Sequence, residues 1–491
     1  MEGSANPTGQ TAQTVQNPIS RIARERFGVE YLYPIQHFVI SNILDGISQI
    51  VVLPTGGGKS LCFQLPSGLL SGLTLVVVPL LSLMGDQRRR LEERNIPAGI
   101  LRGGQSREER RALYRKAAAG QVKIILVTPE VLIQLPRDPL FNTLSISHLV
   151  VDEAHCVSEW GKSFRPSYGR IKDFVLGSSV AVITAFTATA SSQVLEGIRS
   201  VVFPDRPVRL VQDNPDRPNI FYRVIPALSK SKTLVDLLIS RPGNCVVFCA
   251  TRSLAEITAR LIRRRVPGRE TYFYHAGLSR EERQIIEGWF FDSKNGILTA
   301  TSAYGMGVDK ADIRTAIHTG IPPSVEAYLQ ESGRIGRDGS RSEAILLHGR
   351  GETPVFMAGT DPVSSEVSRQ RWEQMRQYAV DARMCRRNRL LTFIDQDEFD
   401  CSGCDVCMGQ SLDRPPEEAG LRRLLKKHRR RFSRRELAAL LRGLHSYEVI
   451  QKSLYLYNGF GALKGWYPGD IEEALDALYL DEKPGLLDRW F

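Results

Sequence analysis

Between Gln49 and His348 one unit recurs: a short run of β-branched and aliphatic residues ends in Gly, Pro, Thr or Asp, and a longer stretch with helical spacing follows. Strands that alternate with helices in this way build parallel sheets covered by helices on both faces. Five such runs (QIVVLP, LTLVVVP, VKIILVTP, SHLVVDE, VAVITAFTAT) precede residue 190, and five (NCVVFCAT, TYFYHAG, NGILTAT, RTAIHTG, EAILLHG) follow residue 243. The chain is therefore expected to be α/β, with two tandem doubly wound parallel-sheet domains over 19–212 and 213–352, linked through Asp213–Arg223 with its Pro215 and Pro218. Residues 1–18, rich in Gln, Thr, Asn and Ser, read as a flexible tail.

Two motifs fall at the ends of these runs. Leu53-Pro-Thr-Gly-Gly-Gly-Lys-Ser60 follows a predicted strand and opens a predicted helix, the setting of a phosphate-binding loop. Thr55, Gly56, Gly57 and Gly58 would bring backbone amides onto phosphate oxygens, Lys59 would reach the β and γ phosphates, and the Ser60 hydroxyl would hold Mg²⁺. Leu149-Val-Val-Asp152-Glu153-Ala-His155 is a buried strand that delivers two carboxylates at its end. Asp152 would bind Mg²⁺ and Glu153 would orient or deprotonate water. Arg334 and Arg337, three apart at a predicted helix start, suit the role of donors to developing γ-phosphate charge. ATP and Mg²⁺ are the implied substrate and ion.

After Gly351 the chain becomes helical, polar and basic. Cys385, Cys401, Cys404 and Cys407 lie within 23 residues, and the two successive C-x₂-C steps suit one tetrahedral, all-sulfur structural Zn²⁺ site over 353–412; the same thiolates could hold an iron–sulfur cluster or act as redox thiols. Cys62, Cys156, Cys245 and Cys249 are scattered and read as core residues. Ser433-Arg-Arg-Glu436 and Asp470-Ile-Glu-Glu473 have capping-box spacing, so 413–491 is expected to be a basic helix followed by a small α-rich module, with a winged helix as one form of it.

Taken together, Thr55–Ser60, Asp152-Glu-Ala-His155, Phe186-Thr-Ala-Thr-Ala190 and Gln330-Glu-Ser-Gly-Arg-Ile-Gly-Arg-Asp-Gly339 resemble the ordered motifs of superfamily-2 helicases. Cys156 to Tyr168, Asp216-Arg-Pro-Asn219, Tyr304-Gly-Met-Gly-Val-Asp-Lys310 and the cysteine cluster resemble RecQ-type DNA helicases, over about residues 25–410. The resemblance implies RecA-like domains, an ATP-dependent DNA helicase moving 3′ to 5′, a role in DNA repair, recombination or replication, and a C-terminal module similar in position to the family's winged helix. It implies that Gln36 reads adenine and that Arg337 is the better arginine-finger candidate. It also implies that the loop carrying Trp160, Phe164, Arg165 and Tyr168 couples DNA to hydrolysis, and that Thr301, with Thr299, Asp309 and Lys310, lines the strand track or transmits closure.

Charge agrees with an anionic partner. Sixty-five Lys and Arg against 54 Asp and Glu leave +11, and no apolar run approaches the roughly eighteen residues of a membrane span. DNA, single-stranded or at junctions with duplex, is the expected partner, in an intracellular setting. The basic stretches Arg369–Arg389 and Arg422–Arg435 are expected to grip phosphates. Two other readings remain open: an RNA-dependent remodelling ATPase, and a zinc-dependent DNA-binding scaffold with a vestigial ATPase.

Overall fold

The computed structural model describes residues 18–479, apart from 55, 80, 161–164, 214–215, 306–309, 355–361, 396–397, 399 and 428–430. The expected tail lies outside them except for Pro18, which opens the helix Pro18–Phe27. Thr55, Phe164 and Asp309 also lie outside, as does the side chain of Trp160.

The first sheet has seven strands: β1 Gln49–Val52, β2 Leu73–Val77, β3 Ala98–Leu101, β4 Ile124–Val127, β5 Ile146–Val151, β6 Val182–Thr187 and β7 Arg209–Gln212. They run parallel in the order β3-β4-β2-β5-β6-β1-β7. The second has six: β8 Ile220–Pro226, β9 Asn244–Phe248, β10 Thr271–Tyr274, β11 Ile297–Ala300, β12 Ile313–His318 and β13 Ser342–His348, in the order β10-β11-β9-β12-β13-β8, again parallel. All ten expected strands are present. The additional three are edge strands, and one of them corrects the expected link: β8 begins at Ile220, inside Asp213–Arg223, because Ile220, Tyr222 and Val224 alternate into the second core.

Period-two alternation sorts each strand between two cores. In the first sheet Ile50, Val52, Leu75, Val77, Ile125 and Val127 face one cluster, while Val51, Val76, Ile124 and Leu126 face the other. In the second sheet Val246, Phe248 and Leu298 oppose Cys245, Val247 and Ile297. Cys62, Cys156, Cys245 and Cys249 are buried, as expected.

The zinc module has no separate core. Met375, Tyr378, Leu390, Leu391 and Cys404 belong to the same cluster as the inward residues of β8. Two of its arginines, Arg386 and Arg387, correct the phosphate-gripping expectation for Arg369–Arg389 at their positions. Arg386, 1% exposed, binds Asp405 Oδ1 at 2.9 Å and the Tyr378 carbonyl at 2.8 Å. Arg387, also 1% exposed, binds Asp216 and the carbonyls of Arg217 (3.1 Å) and Ile220 (2.6 Å). Arg369 and Arg376 fork onto Glu366 and Glu373. A buried guanidinium must be neutralised where it sits, so the charge of Arg386 and Arg387 serves packing.

The regular elements among the described residues of the C-terminal module are helices: Glu418–Lys427, Arg434–Arg442, Tyr447–Gln451 and Pro468–Tyr479, with a short 3-10 turn at Leu454–Leu456. The α-rich form is the one adopted, with no wing strand among those residues. Ser433 and Glu436 form the expected capping box. The second expected box is corrected, because the last helix starts at Pro468 and Asp470 instead receives both oxygens' hydrogen bonds from Arg265, at 2.7 and 2.8 Å. Glu473 accepts from the Ser229 hydroxyl at 2.7 Å and the Lys230 N–H at 2.9 Å. These two carboxylates and Leu228, which joins the module's core, dock it onto the second sheet's domain.

Asp470→Ala should remove the Arg265 anchor, worth about 1.5–3 kcal/mol for bonds to a charged group. Hydrogen exchange should then speed up in Glu418–Tyr479 and stay unchanged in β9–β13; unchanged exchange throughout would show that the docking does not depend on this pair.

Candidate active site and zinc centre

The phosphate loop lies between β1 and the helix Lys59–Ser67. Gly58 sits at φ 80°, and a Cβ there would collide with the Gln36 amide, so glycine is required on two counts. Gln36 is 5% exposed and fully engaged, its Oε1 accepting the Tyr33 N–H at 3.1 Å and its Nε2 donating to the Gly57 carbonyl at 3.0 Å. It braces the loop from behind, at the position where adenine reading was expected.

The second motif follows β5. Asp152 Oδ1 accepts the Glu153 N–H at 3.0 Å, and Oδ2 accepts from Gln87 Nε2 at 3.3 Å. Burial, then the adjacent Glu153, push Asp152 up to about 6 against the pull of Lys59. Glu153, held at φ 48°, lies 3.9 Å from Lys59 Nζ and 3.5 Å from His155 Nδ1. Burial acts to raise Glu153 too, but Lys59, His155, Arg334 and Arg337 together hold it below the usual carboxylate range. His155 Nδ1 is 3.1 Å from the Thr187 hydroxyl, which donates to the Thr189 carbonyl at 2.9 Å, tying the carboxylates to the end of β6.

Arg334 and Arg337 come from the second domain, so their field at Glu153 crosses the cleft between the sheets. They follow the helix Val325–Ser332 rather than opening one, which corrects the expected helix start; Gly333 caps that helix and Gly336 turns the chain at φ 56°. Arg334 is 5% exposed, and burial, then Arg337, lower it to about 10 while Glu153 opposes. The loop between the two arginines is clamped. Arg217 donates to the carbonyls of Gly333 (3.0 Å), Ile335 (3.3 Å) and Gly336 (2.9 Å), and Asn219 Nδ2 to those of Gly336 (2.8 Å) and Ser340 (3.0 Å). The motif Asp216-Arg-Pro-Asn219 shows no role in the sequence; it acquires one where it leads into β8 beside the arginine loop.

The expected nucleic-acid residues divide. Tyr168 is fully buried in the first core and cannot stack on a base. Arg165 is committed to Glu130, with Nε–Oε1 at 2.5 Å and NH2–Oε2 at 2.8 Å, and to the Pro79 carbonyl. Burial alone would raise Glu130, but this fork and the Ser167 hydroxyl bring it down to about 2. Both residues therefore fix the loop's base instead of offering stacking planes. Thr301 follows β11 and is half-buried, whereas Thr299 donates to the Ala255 carbonyl at 2.8 Å inside the core and Lys310 to the carbonyls of Phe291 and Ser293.

Cys385, Cys401, Cys404 and Cys407 converge, all four Sγ atoms lying within 4.8 Å of one another and Cys385 and Cys404 at 4.0 Å. Four sulfurs about 2.3 Å from one ion would be about 3.8 Å apart, so the set fits a tetrahedral Zn²⁺. Gly403, at φ 150°, makes the turn between two of the ligands. Asp405, fully buried, accepts the Val224 N–H at 2.8 Å and so fastens the cysteine loop to β8.

The chain matches the family models "DEAD/DEAH box helicase" over 33–197, "Helicase conserved C-terminal domain" over 229–339 and "RecQ zinc-binding" over 350–408. It is similar to "ATP-dependent DNA helicase RecQ" of Bacillus subtilis, 31% identical over 450 residues that make up 90% of this chain and 75% of that protein. It is also similar to "ATP-dependent DNA helicase hus2/rqh1" of Schizosaccharomyces pombe, 34% identical over 88% of this chain but only 34% of that protein's length. Among solved structures it shares a fold with a DEAD-box helicase Mss116 complex (TM-score 0.57, 19% identity, 68% of this chain and 73% of that one). A DNA- and AMPPNP-bound DUF1998 helicase, MrfA, is comparable (TM-score 0.56, 22% identity, 72% and 52%).

Removing the metal with a strong chelator should release about one Zn²⁺ per chain and speed hydrogen exchange in β8 and the cysteine loop together, because they share one core. Cys404→Ser should reproduce both effects; retained zinc in that variant would exclude the four-sulfur set.

Proposed function

The chain belongs to the RecQ-type ATP-dependent DNA helicases, and on that premise we propose that it couples ATP hydrolysis to 3′-to-5′ movement along single-stranded DNA and so to strand separation at junctions with duplex. The observation that carries this reading is the shared field at Glu153, where Lys59 and His155 of the first domain meet Arg334 and Arg337 of the second. A site built from both sides of a cleft can sense whether the cleft is closed.

In this reading Thr55, Gly56, Gly57, Gly58 and Lys59 cradle the triphosphate. Ser60 and Asp152 offer the oxygen ligands for Mg²⁺, which when bound neutralises charge on the β and γ phosphates. Glu153, kept ionised by its cationic neighbours, accepts a hydrogen bond from the attacking water and aligns it with the γ-phosphorus. Arg337, with Arg334 beside it, donates to the oxygens on which charge develops. Arg217 and Asn219 touch no reacting atom; they position the arginine loop. When the γ-phosphate leaves, the attraction holding the arginines to the first domain weakens and the cleft relaxes. Trp160, Phe164 and Thr301 are the proposed strand contacts, with Arg165 and Tyr168 as supports of the aromatic loop. Zn²⁺ is structural. No helix among the described residues is long and apolar enough to cross a membrane.

Lys59→Ala should abolish DNA-stimulated ATP turnover while leaving single-strand affinity largely intact, and Arg337→Ala should lower kcat by about 10³ or more. Arg217→Ala should lower kcat by up to about 10², the cost of a finger misplaced by an ångström, with KM for ATP little changed. Steady-state ATPase assays, with unwinding compared on 3′-tailed and 5′-tailed duplexes, measure all of this. Turnover that ignores DNA, or unwinding from the 5′ tail, would sink the motor as described.

A further inference from the structure

Several arginines examined above are neutralised inside the protein, but one group is not. A groove of about 1270 Å³ lies on the first domain between the helix Arg107–Ala118 and the segment 133–143, lined by Arg107, Arg110, Arg111, Arg115, Arg137 and Arg170. Asp138 is the one acid in that lining, and its Oδ1 accepts the Leu140 N–H at 3.1 Å. Arg170 pairs with Asp173 and Arg110 reaches the Arg102 carbonyl. The side chains of Arg107, Arg111, Arg115 and Arg137 have no carboxylate or hydrogen-bond partner among the described residues.

Local energetics oppose this arrangement. Arg107, Arg111 and Arg115 are four apart, so they form one row along the helix at about one turn per step. Like charges at that spacing weaken a helix, and Arg107 stands in the first turn, where the helix dipole disfavours a cation. Arg137 and Arg170 face the row from other segments, so cations approach the groove from both walls. A closely spaced polyanion would relieve all of these repulsions at once.

The groove's position favours nucleic acid among the polyanions. It begins just past the carboxyl ends of β3 and β4, beside Thr128-Pro129-Glu130, on the sheet edge that also carries the phosphate loop and Asp152. The only aromatic residue in the lining, Tyr114, is 3% exposed, so bases have nothing to stack on and contact would be to phosphates alone. We propose that this groove is a second, backbone-only binding site for single-stranded DNA, continuing the strand track of the first domain. The proposal rests on DNA being the track of the motor described above.

The test uses the full chain with Arg111→Gln/Arg115→Gln/Arg137→Gln, a control lacking three exposed arginines elsewhere (Arg199, Arg260, Arg264), and two oligonucleotides, one filling only the track and one several times longer. For the longer strand the groove variant should bind roughly tenfold or more weakly, and the slope of log K against log salt should fall by about 2, at about 0.7 per lost phosphate contact. The short strand should bind as in the wild type, and the control should lose neither affinity nor slope difference between the two lengths. Arg137→Gln alone, on the other wall, should give about a third of the slope change. Equal effects on both lengths, or none, in a wild-type background with DNA-stimulated ATPase would overturn the groove assignment alone. Polyglutamate binding that depends on these arginines, with the DNA slope unchanged, would overturn it in favour of an acidic protein partner. A wild type without DNA-stimulated ATPase would overturn the motor reading and this proposal with it.

Discussion

One guanidinium holds the two halves of the chemistry in register. Arg217 takes three carbonyls of the loop that carries Arg334 and Arg337, and its own carbonyl is taken by Arg387, two residues after the zinc ligand Cys385. Without that clamp a loop turning at Gly336 would be free to choose its aim, and a donor is effective only when it is aimed before charge develops. The zinc module thereby belongs to the motor mechanically: it fastens β8, β8 carries Asp216 to Asn219, and these fix the arginines that face the first domain.

Buried charge is the material of this relay, which explains why so much of the basic excess is invisible to solvent. Desolvating a guanidinium costs several kcal/mol unless every donor finds an acceptor. Arg386 and Arg387 offset most of that cost with Asp405, Asp216 and backbone carbonyls, although the Arg387 Nε is buried without a hydrogen-bond partner. Such pairs add little net stability compared with apolar residues, but they tolerate few alternative geometries, and a positioning device needs that restriction. The same logic applies at the C-terminal module, where Asp470 and Glu473 fix one helix against the second domain.

Much of this was legible in the sequence, for identifiable reasons. Strands buried on both faces announce themselves as β-branched runs, so all ten expected ones exist; β3, with Ala98 and Gly99, and β7, with exposed Arg209 and Leu210, lack the apolar contrast that marks a strand. The phosphate loop, the paired carboxylates and the four thiolates were legible because their chemistry demands fixed local spacing. Tyr168 was misread because an aromatic beside a functional loop can face either way, and only packing decides. Arg386 and Arg387 were misread because charge is counted along the chain but neutralised across it: Arg387 finds Asp216 at a separation of 171 residues. Gln87 carried no sequence signal of its own, and Arg217 stood in a recognisable motif whose role was hidden for the same reason.

The cleft itself contains an electrostatic imbalance that gives the cycle its direction. Lys59, Arg334 and Arg337 bring three positive charges to a region where Asp152 and Glu153 bring at most two negative ones. Arg334 and Arg337 also repel each other, which helps lower Arg334 to about 10. On the proposed mechanism a triphosphate would supply the missing negative charge between the two domains and favour the closed arrangement, and a diphosphate would supply less of it. On that mechanism the departure of the cleaved phosphate would need no separate trigger to loosen the cleft, because it would carry away the charge that held like-signed groups together. The tighter the arginine loop is clamped by Arg217 and Asn219, the less it can swing away to relieve the repulsion locally, and the more of that energy must appear as movement of one domain against the other.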